Sequence, residues 1–375
     1  MTLLVNGKKK SPLIWYNEYC RDKQKPYKGA LFMTIINDND NIYNLEIIEG
    51  TGEILSDIGR NGKERPWQMH KVGSSDLVEL FSKARKLEPS IISDSRLQDL
   101  KDCGSFLEFK QNTEQKLKLA KANFCRLRLC PMCSWRKSLK LFSQVSDIAT
   151  EFLSQQPSAR FLFVTLTVPN CVAIDLPSTI DRMNKAFTYL TSSRQTFAPA
   201  KIFKKNLLGY MKAIEITYNS KENTYHPHIH CLFAVRANYF KGNEYIRKSV
   251  WQDIWSKAMK SNKELIVHIE TVKNSSTAKA VAEVGKYPVK SADLLKIQDK
   301  GKATKALIVL HKALRNRRLV TFGGLMADIK KELKLEDIES KNIDLVHVDE
   351  EAADQFKAIR LVMFKWHVKL GVYIC

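Results

Sequence analysis

The stretch His226-Pro-His-Ile-His230 constrains the fold of this chain more than any other. Its three histidines occupy alternate positions, and alternate residues of an extended strand point to the same face. A strand over Tyr225–Val235 therefore carries its imidazoles side by side. A second apolar strand over Met211–Tyr218 precedes it, and a short polar turn around 220–223 joins the two. The sequence thus predicts a β-hairpin with a face of histidines.

The four-residue turn predicts which residue faces the histidines. It pairs Asn219 with Thr224, and the same register places Glu215 opposite His228. Imidazoles from His228 and His230 and one carboxylate suit a divalent ion that keeps open positions for a substrate phosphate. A slip of one residue would move Glu215 to the other face. Solvated histidines without a metal are the alternative, and a closed structural zinc site, which needs four protein ligands, fits less well.

A second constellation contains a tyrosine. Glu283 and Tyr287 are four residues apart, so they share a face of a helix predicted over Thr277–Tyr287. A phenol has a pKa of about 10 and needs a cation, a base or a polarised electrophile to act as a nucleophile. Lys290 supplies positive charge nearby, whereas Pro288 ends or kinks the helix. An ordinary surface tyrosine is the alternative, because the chain has 12 tyrosines.

A third constellation consists of cysteines. The segment Cys125-Arg-Leu-Arg-Leu-Cys130-Pro-Met-Cys133 contains a Cys-x-x-Cys knuckle with a third cysteine upstream. Cys103 completes a tetrahedral thiolate site for structural zinc, and His70 is a weaker candidate. Unliganded core cysteines are the alternative reading. We expect the basic residues around the knuckle to present cations to DNA; they are Arg126, Arg128, Arg136 and Lys137.

The charge of the chain predicts a partner rich in phosphate. Lysine and arginine number 61 against 40 acidic residues, giving a net charge of +21. The alternative is that the positive charge only keeps the surface soluble and binds no phosphate-rich partner. The polar start at 1–12 lacks the apolar core of a signal peptide, and charges interrupt the apolar run Ile359–Ile374. We therefore expect a cytoplasmic protein with reduced cysteines that does not bind membranes.

The order of predicted elements gives the fold class. Between 161 and 272 the order is β-α-β-β-α-β, which is that of a ferredoxin-like split βαβ sheet. Its members are strands Phe161–Val168, Met211–Tyr218, Tyr225–Val235 and Leu265–Val272 and helices Pro177–Leu190 and Ile246–Lys260. The sequence predicts an α+β protein with a ferredoxin-like, RRM-like antiparallel core and a cysteine-rich segment N-terminal to it.

Three motif-like segments follow one another along the chain: Phe163-Val-Thr-Leu-Thr-Val-Pro-Asn170, His226-Pro-His-Ile-His230 and Glu283-Val-Gly-Lys-Tyr-Pro-Val-Lys290. Together they resemble the three motifs of the HUH endonucleases, most closely the single-tyrosine rolling-circle plasmid replication initiators of bacteria. The segments Cys125–Cys133 and Arg318-Leu-Val-Thr-Phe-Gly-Gly324 are similar to that family as well. The resemblance implies the HUH endonuclease fold.

The resemblance also implies a ligand set for the catalytic metal. His228 and His230 would bind Mg²⁺ or Mn²⁺, with either Glu215 or His226 as the third ligand. No motif of the family that we can match in this sequence decides between these two residues.

For the chemistry, the resemblance implies that Tyr287 nicks one strand at the plasmid's double-strand origin, giving a 5′-phosphotyrosine and a 3′-hydroxyl primer. Glu283 replaces a second tyrosine and activates water at termination. The expected partners are origin DNA, single-stranded or in a hairpin at the nick, a host helicase and DNA polymerase. The sequence contains no P-loop, so we expect no attached helicase.

We expect four regions: 1–95, of unknown role and a candidate for DNA binding; 96–153, with the zinc segment and a helix; 154–330, the endonuclease domain; and 331–375, a C-terminal extension. An HUH transposase or relaxase is a rival reading. Relaxases, however, usually carry their tyrosine before the histidines, and here Tyr287 follows them. A zinc-containing DNA-binding regulator is a non-enzymatic rival that leaves the histidine strand unexplained.

Overall fold

A computed structural model describes residues 3–5, 8–10, 30–36, 42–48, 52–59, 62–272, 291–348 and 358–375. The strands are β1 (Leu3–Val5), β2 (Lys8–Lys10), β3 (Ala30–Ile36), β4 (Ile42–Ile48), β5 (Phe106–Asn112), β6 (Leu117–Ala122), β7 (Arg160–Thr167), β8 (Leu207–Asn219), β9 (Thr224–Val235), β10 (Val267–Val272), β11 (Val320–Gly324), β12 (Ala358–His367) and β13 (Val372–Ile374). The helices are α1 (Trp67–Leu87), α2 (Asp94–Asp102), α3 (Pro131–Gln155), α4 (Leu176–Thr191), α5 (Ala198–Asn206), α6 (Lys248–Ala258), α7 (Ser291–Leu295), α8 (Lys300–Leu314) and α9 (Leu325–Glu332).

The chain divides into two compact units. The first unit comprises residues 1–75, 98–125 and 350–375, and the second comprises 76–97 and 126–349. Among the described residues, every helix is too short or too polar to cross a bilayer. The helix predicted over Thr277–Tyr287 lies outside the described residues.

The second unit contains a five-stranded sheet with the order β10-β7-β9-β8-β11. Every neighbouring pair in it is antiparallel. The first four strands of this order are the fourth, first, third and second along the chain, which is the arrangement of a split βαβ sheet. Helix α4 lies in the first crossover and α6 in the second. The predicted α+β class with a ferredoxin-like antiparallel core is therefore confirmed.

Helices α4 and α6 cover one face of this sheet. Phe233 of β9 stacks on Phe187 of α4 at a centroid distance of 6.0 Å and on Trp251 of α6 at 6.1 Å. Strand alternation then puts His228 and His230 on the opposite face, because they sit at odd spacings from Phe233. The sheet thus separates a helix-covered face from a histidine face.

Helix α3 belongs to the second unit, and its basic side chains turn inward. Arg136 and Lys137 are buried, with 1% and 4% of their surface exposed. The Arg136 guanidinium donates to the carbonyl oxygens of residues 345 and 346 at 2.9 and 2.8 Å. Arg128 pairs with Glu339 at 3.1 Å. The expectation that these cations face DNA is wrong for Arg136 and Lys137, because both side chains are buried. For Arg136, the segment after α9 supplies the carbonyl acceptors that a buried guanidinium needs.

The first unit contains a mixed sheet in which β12, the last strand but one, is central. Strand β12 pairs parallel with β4 and antiparallel with β5, while β13 pairs with β12. Phe109 of β5 packs edge-on against both Trp67 and Phe364, with centroids 5.8 and 6.0 Å away. The alternation of charges with Phe364, Trp366, Val368 and Leu370 predicts a half-buried strand. The structure confirms the strand as far as His367, whereas Val368 is 80% exposed and lies in the turn that follows.

The glycines that end β11 allow it to lie close to β8. Gly324 has φ of 59°, and a methyl group there would lie 2.4 Å from the carbonyl oxygen of Leu208. We expect Gly324→Ala to lower the free energy of unfolding by about 2–4 kcal/mol through backbone strain and this clash. Chemical denaturation monitored by circular dichroism measures it.

Gly242 is the matched control for this substitution. Its φ is 51°, but no atom of the described residues lies within 4 Å of the position that a methyl group would take. Gly242→Ala should therefore cost only the strain of left-handed backbone, about 1 kcal/mol. Equal losses in the two variants would contradict the close approach of β11 and β8.

Candidate metal centre

The turn between β8 and β9 sets the register of the hairpin. The Asn219 side chain accepts hydrogen bonds from the backbone N–H groups of Lys221 and Glu222 at 3.0 and 3.3 Å, which is an Asx-type turn. Asn223 adopts a φ of 55°, a conformation that asparagine tolerates. The resulting register pairs Asn219 with Thr224 and Glu215 with His228, as predicted.

This register brings a carboxylate between two imidazoles. Nε2 of His230 lies 3.1 Å from Oε2 of Glu215, and Nε2 of His228 lies 3.6 Å from the same oxygen. The Glu215 side chain is 7% exposed, and those of His228 and His230 are 12% and 15% exposed. The three groups thus converge from two adjacent strands in a largely buried setting.

Each of these imidazoles is oriented through its other nitrogen. Nδ1 of His228 lies 3.3 Å from the carbonyl oxygen of His226, and Nδ1 of His230 lies 3.2 Å from Oγ1 of Thr165. Partners of this kind fix the ring orientation of metal-bound histidines and leave the second nitrogen for the ion. Here they leave both Nε2 atoms facing Glu215.

The donor set fits a divalent cation. Two nitrogens and one carboxylate oxygen, all within 4.8 Å of one another, form a group of potential ligands. Adjacent ligands at about 2.1 Å from an octahedral ion lie about 3.0 Å apart, close to the 3.1 Å between His230 and Glu215. Three protein ligands leave further positions of such an ion open to substrate. The 3.1 Å contact is also an ordinary length for a hydrogen bond between Nε2 of His230 and Oε2 of Glu215.

His226, the other candidate third ligand, does not belong to this group. Its ring centroid is 5.3 Å from that of His228. Burial and the neighbouring His228 both lower the pKa of His226. Between the two candidates, the structure brings Glu215 and not His226 to the nitrogens of His228 and His230.

Sequence reasoning gave no role to two residues of β7 that support the centre. Thr165 is paired with His230 across the strands, and Phe163 stacks on the His230 ring at 5.7 Å and 13°. The available signal was the alternation within Phe163-Val-Thr165, which places both side chains on one face. Without the order of strands in the sheet, that face could not be matched to the histidines.

The predicted nucleophile group cannot be compared with this geometry. Tyr287, Glu283 and Lys290 all lie outside the described residues. Their assignment depends on the sequence alone.

The cysteines of the predicted zinc segment are buried thiols. In the first unit, the Sγ atoms of Cys103 and Cys125 lie within 4.8 Å, and the backbone N–H of Cys125 lies 3.4 Å from Sγ of Cys103. In the second unit, the Sγ atoms of Cys130 and Cys133 also lie within 4.8 Å. His70, in the first unit, is not grouped with Cys103 and Cys125 among the described residues.

Comparison with known proteins identifies relatives along most of the chain. Residues 116–374 match the Rep_1 replication protein family. A protein named Protein rep from Lactiplantibacillus plantarum is 38% identical over 327 residues, covering 84% of this chain and 96% of that protein. The Protein rep of Bacillus amyloliquefaciens is 35% identical over 346 residues, covering 87% of this chain and 98% of that protein. No solved structure matches the chain.

We expect purified protein to bind Mn²⁺ and Glu215→Gln to weaken that binding at least 10-fold, because the amide keeps the shape and loses the charge. His226→Ala should change the Mn²⁺ affinity less than 3-fold, since its ring is not among the converging groups. Titration calorimetry measures both. A larger loss in His226→Ala than in Glu215→Gln would show that His226 is the third ligand.

Proposed function

We propose that this chain, which belongs to the Rep_1 replication protein family, initiates rolling-circle replication of a plasmid by nicking one strand of its origin. The observation that carries the proposal is the convergence of Glu215, His228 and His230 on one sheet face. The net charge of +21 suits a DNA substrate. A regulator that only binds DNA would also carry such a charge, but it would have no need of the metal centre.

The metal centre is proposed to bind Mg²⁺ or Mn²⁺ through Glu215, His228 and His230. The bound ion would polarise the scissile phosphate and stabilise the charge on the leaving oxygen. The protein contributes rigidity, because Thr165 and the backbone of β9 orient the two imidazoles before substrate arrives.

Tyr287 is proposed as the nucleophile. Its phenol oxygen attacks the phosphorus and loses its proton, while the bond from phosphorus to the 3′ oxygen breaks and that oxygen gains a proton. The products are a 5′-phosphotyrosine and a free 3′-hydroxyl that primes synthesis. The bond energy is conserved in the phosphotyrosine, so no nucleotide cofactor is required. Lys290 supplies positive charge, and Glu283 activates the water that ends the round.

The expected partners follow from this reaction. The nick site is single-stranded or lies in a hairpin, because the base-paired strand must be opened around the scissile phosphate. A host DNA polymerase extends the 3′-hydroxyl, and a host helicase separates the strands ahead of it. Since bacterial plasmids reside in the cytoplasm, the proposed function places the protein there.

A structural zinc is proposed to bind Cys103, Cys125, Cys130 and Cys133. Thiolates in a Cys-x-x-Cys knuckle, with two more cysteines, match a closed tetrahedral site. The close pairs Cys103–Cys125 and Cys130–Cys133 support this assignment.

We expect one zinc per chain in freshly purified protein, measured by inductively coupled plasma mass spectrometry. Cys130→Ser should lose the zinc and lower the melting temperature, because zinc binding at such sites is coupled to folding. Cys171→Ser is the control, since Cys171 is half-buried and lies outside the knuckle. Zinc-free protein with the stability of the wild type would contradict the proposal.

Tyr287→Phe should bind an origin oligonucleotide normally and nick it at least 1,000-fold more slowly, because the phenol oxygen is the proposed attacking atom. Denaturing gel electrophoresis and mass spectrometry of the adduct measure this. Tyr245→Phe, at a tyrosine that is 58% exposed in the second unit, should form the adduct at the wild-type rate. Phosphotyrosine mapped to any other residue of the wild type would disprove the role of Tyr287.

A further inference from the structure

A basic groove lies between helices α4 and α6 and the start of α5, all in the second unit. Its volume is about 650 Å³. Its lining includes four cationic side chains and, among the described residues, no carboxylate; the cations are Arg182, Lys185, Lys257 and Lys260. We call it the α4–α6 groove. A concentration of positive charge without compensating acids attracts phosphate.

The floor of the α4–α6 groove is apolar. Apolar side chains line it, among them Ala186, Leu190, Ala258 and Met259. Phosphates on the outside of a DNA duplex would meet the cations and leave this floor uncovered. A single strand offers both parts, since its bases can lie on apolar or aromatic surfaces while its phosphates reach the cations.

Two half-buried aromatic rings in the lining of the groove, those of Tyr189 and Phe197, have fixed contacts. The Tyr189 hydroxyl accepts a hydrogen bond from the backbone N–H of Thr196 at 3.2 Å. The ammonium of Lys257 sits 3.6 Å from the ring centroid of Phe197. Fixed rings beside a cation are the arrangement that single-strand binding proteins use to stack bases and neutralise phosphates.

The α4–α6 groove is separate from the metal centre and connects towards it. The groove belongs to helices that cover the sheet face opposite the histidines. Arg182 and Met259 also line a cleft of about 760 Å³ that reaches Asn170, just beyond β7. The Asn170 amide donates to Oγ1 of Thr224 at 3.1 Å, two residues before His226. The groove and the cleft thus share two lining residues, and the cleft includes Asn170, which contacts the start of the histidine strand. The lining of the cleft also contains one carboxylate, Asp175.

We propose that the α4–α6 groove binds a single-stranded segment of the DNA that is nicked and holds it as it passes the end of β7 and the start of β9 to the metal centre. The inference rests on the proposed function for its choice of DNA as the partner. It adds a second binding surface, on the other face of the sheet, to the residues that do the chemistry.

The test is equilibrium binding of a fluorescein-labelled oligothymidine of about 20 nucleotides, measured by anisotropy in buffer with EDTA. The groove variant is Lys185→Gln, Lys257→Gln and Lys260→Gln combined in the full chain. All three lysines are exposed, so the fold should persist. We expect at least a 10-fold loss of affinity. The slope of log K against log salt should fall by about 2, since a single-strand phosphate contact contributes about 0.7.

The matched control combines Lys331→Gln, Lys334→Gln and Lys341→Gln. It removes the same charge from exposed lysines of the same unit, and each set contains one lysine with positive φ, Lys260 at 52° and Lys334 at 51°. The control should bind within 2-fold of the wild type. Equal losses in the two variants would show a general charge effect and overturn the groove proposal.

Two further variants serve as tests. One distinguishes base stacking from charge, and the other distinguishes binding in the groove from nicking at the metal centre. Tyr189→Leu keeps the charge and should weaken single-strand binding at least 3-fold through loss of the ring. His228→Ala should bind the oligothymidine like the wild type although it cannot nick. If the wild type shows no nicking but the groove variant still loses affinity, the proposed function fails and the groove stands. If the groove variant lost more affinity for a duplex of the same length than for the single strand, the single-strand assignment would be overturned.

Discussion

The register of the β8–β9 hairpin is the constraint on which the metal centre depends. Only one pairing places Glu215 beside His228 and His230, and a slip by one residue would turn its carboxylate to the helix-covered face. The turn enforces that pairing through the Asn219 side chain, which accepts two backbone hydrogen bonds. A local turn motif thus determines the geometry of a site four residues away along the strand.

Strand β9 contributes side chains to both faces of the sheet. Its even-numbered histidines meet β7 and β8 residues on one side, while Phe233 anchors α4 and α6 on the other. The stacked aromatic contacts pack the strand against both helices, and the hydrogen bonds at Nδ1 of His228 and His230 orient the two imidazoles. The same helices then form the walls of the α4–α6 groove. The packing that holds β9 against the helices therefore also forms the walls of a second surface.

Local patterns in the sequence predicted much of this arrangement. Alternation located β7, β8 and β9 to within a few residues, and turn length predicted the register that brings Glu215 to His228. The part that could not be predicted depends on contacts between distant segments. The inward turn of Arg136 requires carbonyl groups more than 200 residues away, and nothing near Arg136 in the sequence marks them.

Strand β12 is a second case in which the sequence predicted an element but not its neighbours. The alternation around Phe364 predicts a half-buried strand, yet alternation does not name a partner. In the first unit, β12 lies between β4 and β5, so residues remote in sequence complete one sheet. A central strand exchanges hydrogen bonds on both edges, and its removal would expose unpaired backbone groups on two neighbours. The residues of β12 therefore belong to the core sheet of the first unit, because β4 and β5 each form hydrogen bonds with β12 rather than with each other.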